Sequence, residues 1–256
     1  MGAGILGNVS ASREFIIGWL YADLMNIYGD RGNILTLLKR AEWRGLEGRV
    51  IELGRGPADK MQDVDVFFFG GGQDREQALI YEDLRQFKQD ALVKAEAGGA
   101  QILAVCGGYQ LLGHYYQTAD GERFDGIGML DVNTEAGKKR FIGDVVVQTD
   151  LRDITPSTLV GFENHSGRTF LGPDAQPLGK VLAGNGNNGS DKTEGAVQGN
   201  IIGTYLHGSL LPKNPHLADH IIGRALKRRG DASLLPLDDS EELAAHDWIL
   251  QRARRR

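Results

Sequence analysis

A single cysteine, Cys106, stands among 256 residues. An internal disulfide is therefore excluded, and with it the small stapled scaffolds of oxidising compartments; a reducing, cytoplasmic setting is expected. No apolar run reaches the roughly 18 residues of a membrane span, and the first dozen residues lack the charged and apolar regions of a secretory signal. Excess positive charge is absent too. The 29 Lys and Arg against 34 Asp and Glu give a net charge of −5, which argues against a nucleic-acid partner. The basic run Arg252, Arg254, Arg255 and Arg256 is too short and too terminal to change that, and is read as a solvated tail. No Cys/His cluster has metal-site spacing, and neither G-x-x-x-x-G-K-S/T nor G-x-G-x-x-G occurs. Internal repeats and interdomain linkers are missing as well.

What remains is an ordinary globular composition, 41% hydrophobic and 25% charged, on a chain long enough for one large α/β domain. Residues 1–13 are small and are expected to be flexible, with a single domain over 14–256. Apolar strands are predicted at Glu14–Tyr21, Arg49–Leu53, Asp65–Phe69 and Gln101–Val105, with a helix over Asn33–Arg44 and a helix or broken helix over Asp74–Ala97. This alternation predicts βαβ units and a mostly parallel central sheet flanked by helices, with active residues gathered at the carboxyl ends of its strands. The glycine-bearing loops after Tyr21, Phe69 and Val105 then share one edge. Beyond Gly121, short alternating stretches (Gly143–Thr149, Thr158–Glu163, Lys180–Ala183) between Gly- and Asn-rich turns predict antiparallel strands. Another strand follows at Asn200–Leu206, and helices at Pro215–Arg229 and Ser240–Arg254 end the chain.

The chain is organised around QILAVCGGYQLLG, residues 101–113. An apolar strand delivers Cys106 to the turn Gly107-Gly108, and a helix begins at once. Glycines clear the space that a side chain pushed out of so sharp a bend requires. A helix N-terminus behind the sulfur favours the nucleophilic thiolate, whereas the competing reading is a buried structural cysteine. His207 is the best-placed base, because it too follows an apolar strand and precedes a glycine. His216, His220 and His246 fall in polar helical segments and read as surface residues; His114 is assigned to the helix after the elbow, and His165 to local scaffolding. Gly70-Gly71-Gly72 offers unobstructed N–H groups for an oxyanion. A thiol, an imidazole and an amide-rich loop point to acyl transfer through a thioester.

These segments carry a resemblance. AVCGGYQLLG, preceded by FFFGGGQDREQ and followed by GFENHSGR and GTYLHGSLLPKNP, resembles the class I glutamine amidotransferases, in the branch shared with the cobyric and cobyrinic acid amide synthases. The opening LYADLMNIYGDRGNILTLLKRAEWRG is similar to the stand-alone glutaminase subunit of the two-subunit lipid II isoglutaminyl synthases. The resemblance implies a flavodoxin-like fold in which Cys106 attacks the side-chain amide of L-glutamine and His207 moves the protons. Backbone N–H groups near Gly71 or Gly72 and at Gly107 would hold the oxyanion. It carries Gln110 over as the superfamily's glutamine after the nucleophile, and Arg140 as a contact to substrate. It further implies a heterodimer with a Mur-ligase-like synthetase. That partner would bind ATP and Mg, and would alone meet lipid II, so that no cofactor or metal is expected in this subunit.

One departure concerns the triad. Many relatives have an acid two residues after the histidine, where this chain has Ser209. Either a Cys-His pair suffices or another acid orients His207; Asp30, in YGDRGN at the same sheet edge, is the candidate, ahead of Glu163. Ala104 also replaces the glycine that opens the elbow in many relatives. Two alternatives stand beside the leading reading. One is the glutaminase part of a cobyric or cobyrinic acid amide synthase, disfavoured because those enzymes carry a nucleotide-binding domain. The other is a degenerate binding subunit, which the intact Cys106 and His207 oppose.

Overall fold

A computed structural model describes residues 14–26, 29–57, 59, 61–230 and 233–254. The expected flexible segment 1–13 lies outside the described residues, as do Arg255 and Arg256. The first half runs β1 (Glu14–Leu20), α1 (Arg31–Glu42), β2 (Glu47–Leu53), β3 (Val66–Phe69), α2 (Asp74–Asp83), α3 (Gln89–Ala97), β4 (Gln101–Val105) and α4 (Gly107–Leu112). The second half runs β5 (Tyr115–Gln117), β6 (Arg123–Asp125), β7 (Val132–Thr149), β8 (Thr158–Leu171), β9 (Gly179–Ala183), β10 (Thr193–Glu194), β11 (Ala196–Gln198), β12 (Ile201–Thr204), α5 (Pro215–Lys227) and α6 (Ser240–Arg254).

Two sheets result. The first has the order β11-β12-β4-β3-β1-β2, and every pair in it is parallel except β11 with β12. Its central strands carry continuous apolar runs, VFFF in β3 and ILAV in β4, as strands buried on both faces do; every residue of both strands is buried. The expected α/β class with a mostly parallel sheet is therefore what the chain adopts. The second sheet, β10-β9-β7-β5-β6 with β8 paired to β7, is antiparallel apart from β5 with β7. One apolar core spans both sheets, joining Phe67 and Leu103 to Val132, Val147 and Leu159.

Several details refine the sequence reading, the expected broken helix among them, and others correct it. The broken helix 74–97 is two α-helices joined by a π-helical turn at Leu84–Lys88. Strands β7 and β8 are much longer than Gly143–Thr149 and Thr158–Glu163, because pairing continues through the polar residues to Val132↔Leu171, with a register irregularity between Ala136 and Phe141. Polar composition hid that extension. His246 is buried rather than at the surface: its Nε2 meets Thr158 Oγ1 at 2.9 Å and its Nδ1 meets the Lys213 carbonyl at 2.9 Å. His114 lies past the end of α4 and pairs with Asp131 at 2.9 Å. No helix among the described residues is long and apolar enough to cross a membrane.

Candidate active site

Cys106 sits at φ +51° and ψ −107°, a region an L-residue enters only under strain of about 1–3 kcal/mol. Its N–H bonds to the Thr204 carbonyl of β12 at 2.9 Å, and its carbonyl accepts from Gln110 N at 3.0 Å, so the strained residue is held from both sides. The two following glycines are required by close approach. A Cβ on Gly108 would lie 2.5 Å from the Phe69 carbonyl oxygen, and one on Gly107 would lie 3.0 Å from the Gly72 carbonyl oxygen and 3.1 Å from Gly72 N. The Gly70–Gly72 loop after β3 is thus packed directly against the elbow. A bond from Gly108 N to the Gly70 carbonyl at 3.1 Å secures it.

His207 lies three residues beyond β12, the strand beside β4, where Thr204 pairs with Val105. The two residues therefore sit at the same edge of adjacent parallel strands. An antiparallel bridge to Phe162 of β8 fixes the His207 backbone, with His207 N donating to the Phe162 carbonyl at 2.9 Å. Ser209, in the position many relatives give to an acid, has φ +52°, and its Oγ donates to the Gly29 carbonyl at 2.9 Å. Asp30 is fully buried and its Oδ2 accepts the Gly71 N–H at 2.7 Å. That bond orders the glycine loop and occupies the Gly71 donor. Glu163 is occupied elsewhere: its carboxylate accepts from Asn185 and Gly186 and anchors β8 to the following loop.

A cleft of about 210 Å³ opens over the thiol, lined among others by Gly72, Cys106, Gln110, Arg140, Asn164 and His165. Arg140 reaches it from β7, its Nε donating to Asn164 Oδ1 at 2.7 Å and its Nη2 to the Asn164 carbonyl at 3.0 Å. Gln110 forms part of the floor. Its Oε1 accepts from Gln77 Nε2 at 2.9 Å and its Nε2 donates to Tyr205 Oη at 3.1 Å; Tyr205 Oη in turn lies 2.7 Å from Thr169 Oγ1. Sequence reasoning did not find Gln77, Asn164 or Tyr205, and assigned His165 only to scaffolding. The GFENHSGR segment held the signal, since a polar cluster within an alternating strand places His165 inward.

The electrostatics correct one expectation. A helix end was expected to favour the thiolate, yet α4 has only six residues and all are buried. Burial, followed by the Asp30 carboxylate, pushes the Cys106 thiol up to about 12, with the Gly107 N–H and Arg140 acting against it. Burial, with the Arg140 guanidinium nearby, pushes His207 down to about 4. At neutral pH the Cys106 side chain therefore rests as a thiol and that of His207 as a neutral imidazole. Asp30 is pushed up to about 6 by burial, opposed by its Gly71 hydrogen bond.

The family of CobB/CobQ-like glutamine amidotransferase domains matches residues 16–215, which include the elbow, both glycine-bearing loops and His207. The chain belongs to that family. This amidotransferase is 41% identical over 243 residues to the lipid II isoglutaminyl synthase (glutamine-hydrolyzing) subunit GatD of Staphylococcus aureus (strain N315), covering 94% of this chain and 97% of that one. It is also 41% identical over 233 residues to the subunit of the same name from Streptococcus pneumoniae (strain ATCC BAA-255 / R6), covering 89% and 88%. Among solved structures, one described as a glutamine amidotransferase superposes with a TM-score of 0.54 at 17% identity, over 82% of this chain and 98% of the other; the fold is shared.

Proposed function

We propose that this amidotransferase hydrolyses L-glutamine through a Cys106 thioester and supplies the ammonia to a Mur-ligase-like partner that amidates the D-glutamate α-carboxyl of lipid II. The observation that carries the reading is the strained Cys106 placed at one sheet edge with His207, beneath a small cleft that Arg140 enters from the other sheet. Similarity to glutamine-hydrolysing subunits along nearly the whole chain supports the choice of acceptor pathway.

The resting protonation states shape the first step. Because the thiol and imidazole are both neutral, the thiol proton passes to His207 as Sγ bonds to the carboxamide carbon. The carbonyl oxygen becomes an oxyanion, and the N–H groups of Gly72 and Gly107 receive it, Gly71 being engaged by Asp30. The C–N bond then breaks as His207 returns its proton to the leaving nitrogen, releasing ammonia and leaving the thioester. Water attacks the thioester carbon, His207 accepts a water proton, and glutamate departs as the thiol is restored. Arg140 holds the substrate α-carboxylate. Asp30 supports the oxyanion loop through Gly71, and ATP and Mg belong to the partner.

The test measures glutamate release from glutamine by the purified chain and by Cys106→Ala, each with and without a Mur-ligase-like partner, ATP and lipid II. Release that requires Cys106 and rises with the partner, accompanied by amidated lipid II, is expected. Folded protein that releases no glutamate in any combination overturns the glutaminase reading. Release without any amidated lipid II overturns the assignment of the acceptor.

A further inference from the structure

Within the cleft, the His165 side chain has no task in the chemistry above. His165 is 2% exposed. Its ring lies flat on Tyr205, with centroids 3.6 Å apart and planes 4° from parallel, and Phe141 closes its edge at 5.6 Å and 85°. Its Nδ1 stands 3.0 Å from the Gly167 carbonyl oxygen. A carbonyl can only accept, so Nδ1 carries the proton and Nε2 is left with a lone pair. Nε2 is buried and has no hydrogen-bond partner among the described residues, although the residue lines the cleft beside Cys106. A buried acceptor held in one tautomer and one orientation costs free energy unless something donates to it.

Resting on the glutaminase reading, we infer that His165 Nε2 accepts an N–H of the substrate carboxamide and is the element that separates glutamine from glutamate. The side-chain amide of glutamine offers an N–H to this lone pair, while the carboxylate of glutamate offers only oxygen lone pairs, which repel it. The same contact turns the amide so that its oxygen, not its nitrogen, faces the Gly72 and Gly107 amides. After hydrolysis the product carries a carboxylate opposite Nε2, which favours its release. Two further observations agree. Burial pushes the imidazole down to about 3, so it remains an acceptor across the working pH range. Gln77 Oε1, also buried and unpartnered among the described residues, lines the same cleft as a second acceptor.

The experiment uses the full chain carrying Cys106→Ala, so that ligands bind without turnover, and calorimetry with L-glutamine, L-glutamate and glutaramate, which keeps the amide but lacks the α-ammonium. Binding of glutamine to this protein tests the glutaminase reading separately. With His165 present, glutamine is expected to bind at least about tenfold more tightly than glutamate, the scale of one hydrogen bond gained against one repelled. His165→Phe, which keeps the stacking ring, is expected to bring the ratio to near one and to weaken glutaramate by the same factor as glutamine. His165→Gln, which restores a carbonyl acceptor, is expected to recover part of the ratio. A second readout needs no substitution at 165: in protein with 15N-labelled histidine, the unprotonated His165 nitrogen is expected to shift upfield when glutamine binds. A ratio unchanged in folded His165→Phe overturns the inference. So does a loss confined to glutamine and absent for glutaramate, which would place the contact on the ammonium, and so does a nitrogen resonance that does not move.

Discussion

Raising the pH in the presence of iodoacetamide reports directly on the resting state of the nucleophile. With the Cys106 thiol held up to about 12, the thiolate at pH 8 is roughly one part in 10⁴, against about a quarter for an ordinary cysteine near 8.5. Alkylation of the free chain is therefore expected to rise about tenfold per pH unit from 7 to 10 with no plateau. At pH 8 the thiolate supply alone makes it slower than a free thiol by about three orders of magnitude. The slope is the diagnostic quantity, since restricted entry to the cleft lowers every rate by a common factor. Intact mass spectrometry counts the adduct, and Cys106→Ala, which removes the only cysteine, sets the background. A rate that levels off below about pH 9 would refute the reasoning. It would mean that the helix end or a neighbouring cation outweighs burial, and that the first catalytic step begins from a preformed thiolate.

The remaining expectations concern the glycine loop and the elbow. Burial pushes Asp30 up to about 6 from an ordinary 3.8, so between those values this carboxyl holds more proton in the folded chain than in the unfolded one, and its contribution to stability falls as pH rises through the interval. The buried histidines His165, His207 and His216 act in the opposite sense over the same interval, so the effect is read as a difference: the urea midpoint of Asp30→Asn relative to wild type should rise from about pH 4 to pH 6, and parallel curves would remove Asp30 as a contributor. Gly108→Ala places a methyl 2.5 Å from the Phe69 carbonyl oxygen, and backbone on both sides of the contact must move. A loss of about 1–3 kcal/mol is expected from overpacking, together with a fall in kcat through displacement of the Gly70–Gly72 loop. Unchanged stability and turnover would show that the loop accommodates the methyl.

The parts of the site legible in the sequence are those fixed by local pattern. Strand, glycine turn and helix around Cys106 occupy consecutive residues, and His207 repeats the pattern of apolar strand followed by glycine. Arg140 and Gln110 follow from the resemblance rather than from any local pattern, and both line the cleft. What remained hidden depends on pairing between distant segments. The extension of β7 and β8 through GKKR and NHSGR could not be read from alternation, because polar residues on a hairpin that roofs a cleft look like those of a loop. The inward position of His165 follows from that register, and the engagement of Gly71 follows from a contact with Asp30 across 41 residues. Burial also reversed the expected ionisation of Cys106, and burial is a property of the packed chain rather than of any short segment. The burial of His246 between Thr158 and Lys213 is hidden from the local sequence for the same reason.

The site is assembled from two sheets, with the thiol and His207 at the edge of the parallel one and Arg140, Asn164 and His165 on the antiparallel hairpin. This division gives a lineage two separately editable parts. Changes at the cleft-facing positions of the hairpin can retune which amide donor is admitted while β4 and β12, which carry Cys106 and His207, keep their own pairing. A search for descendants with altered donor preference should begin in residues 137–141 and 163–168, and directed evolution toward other primary amides has its natural library there.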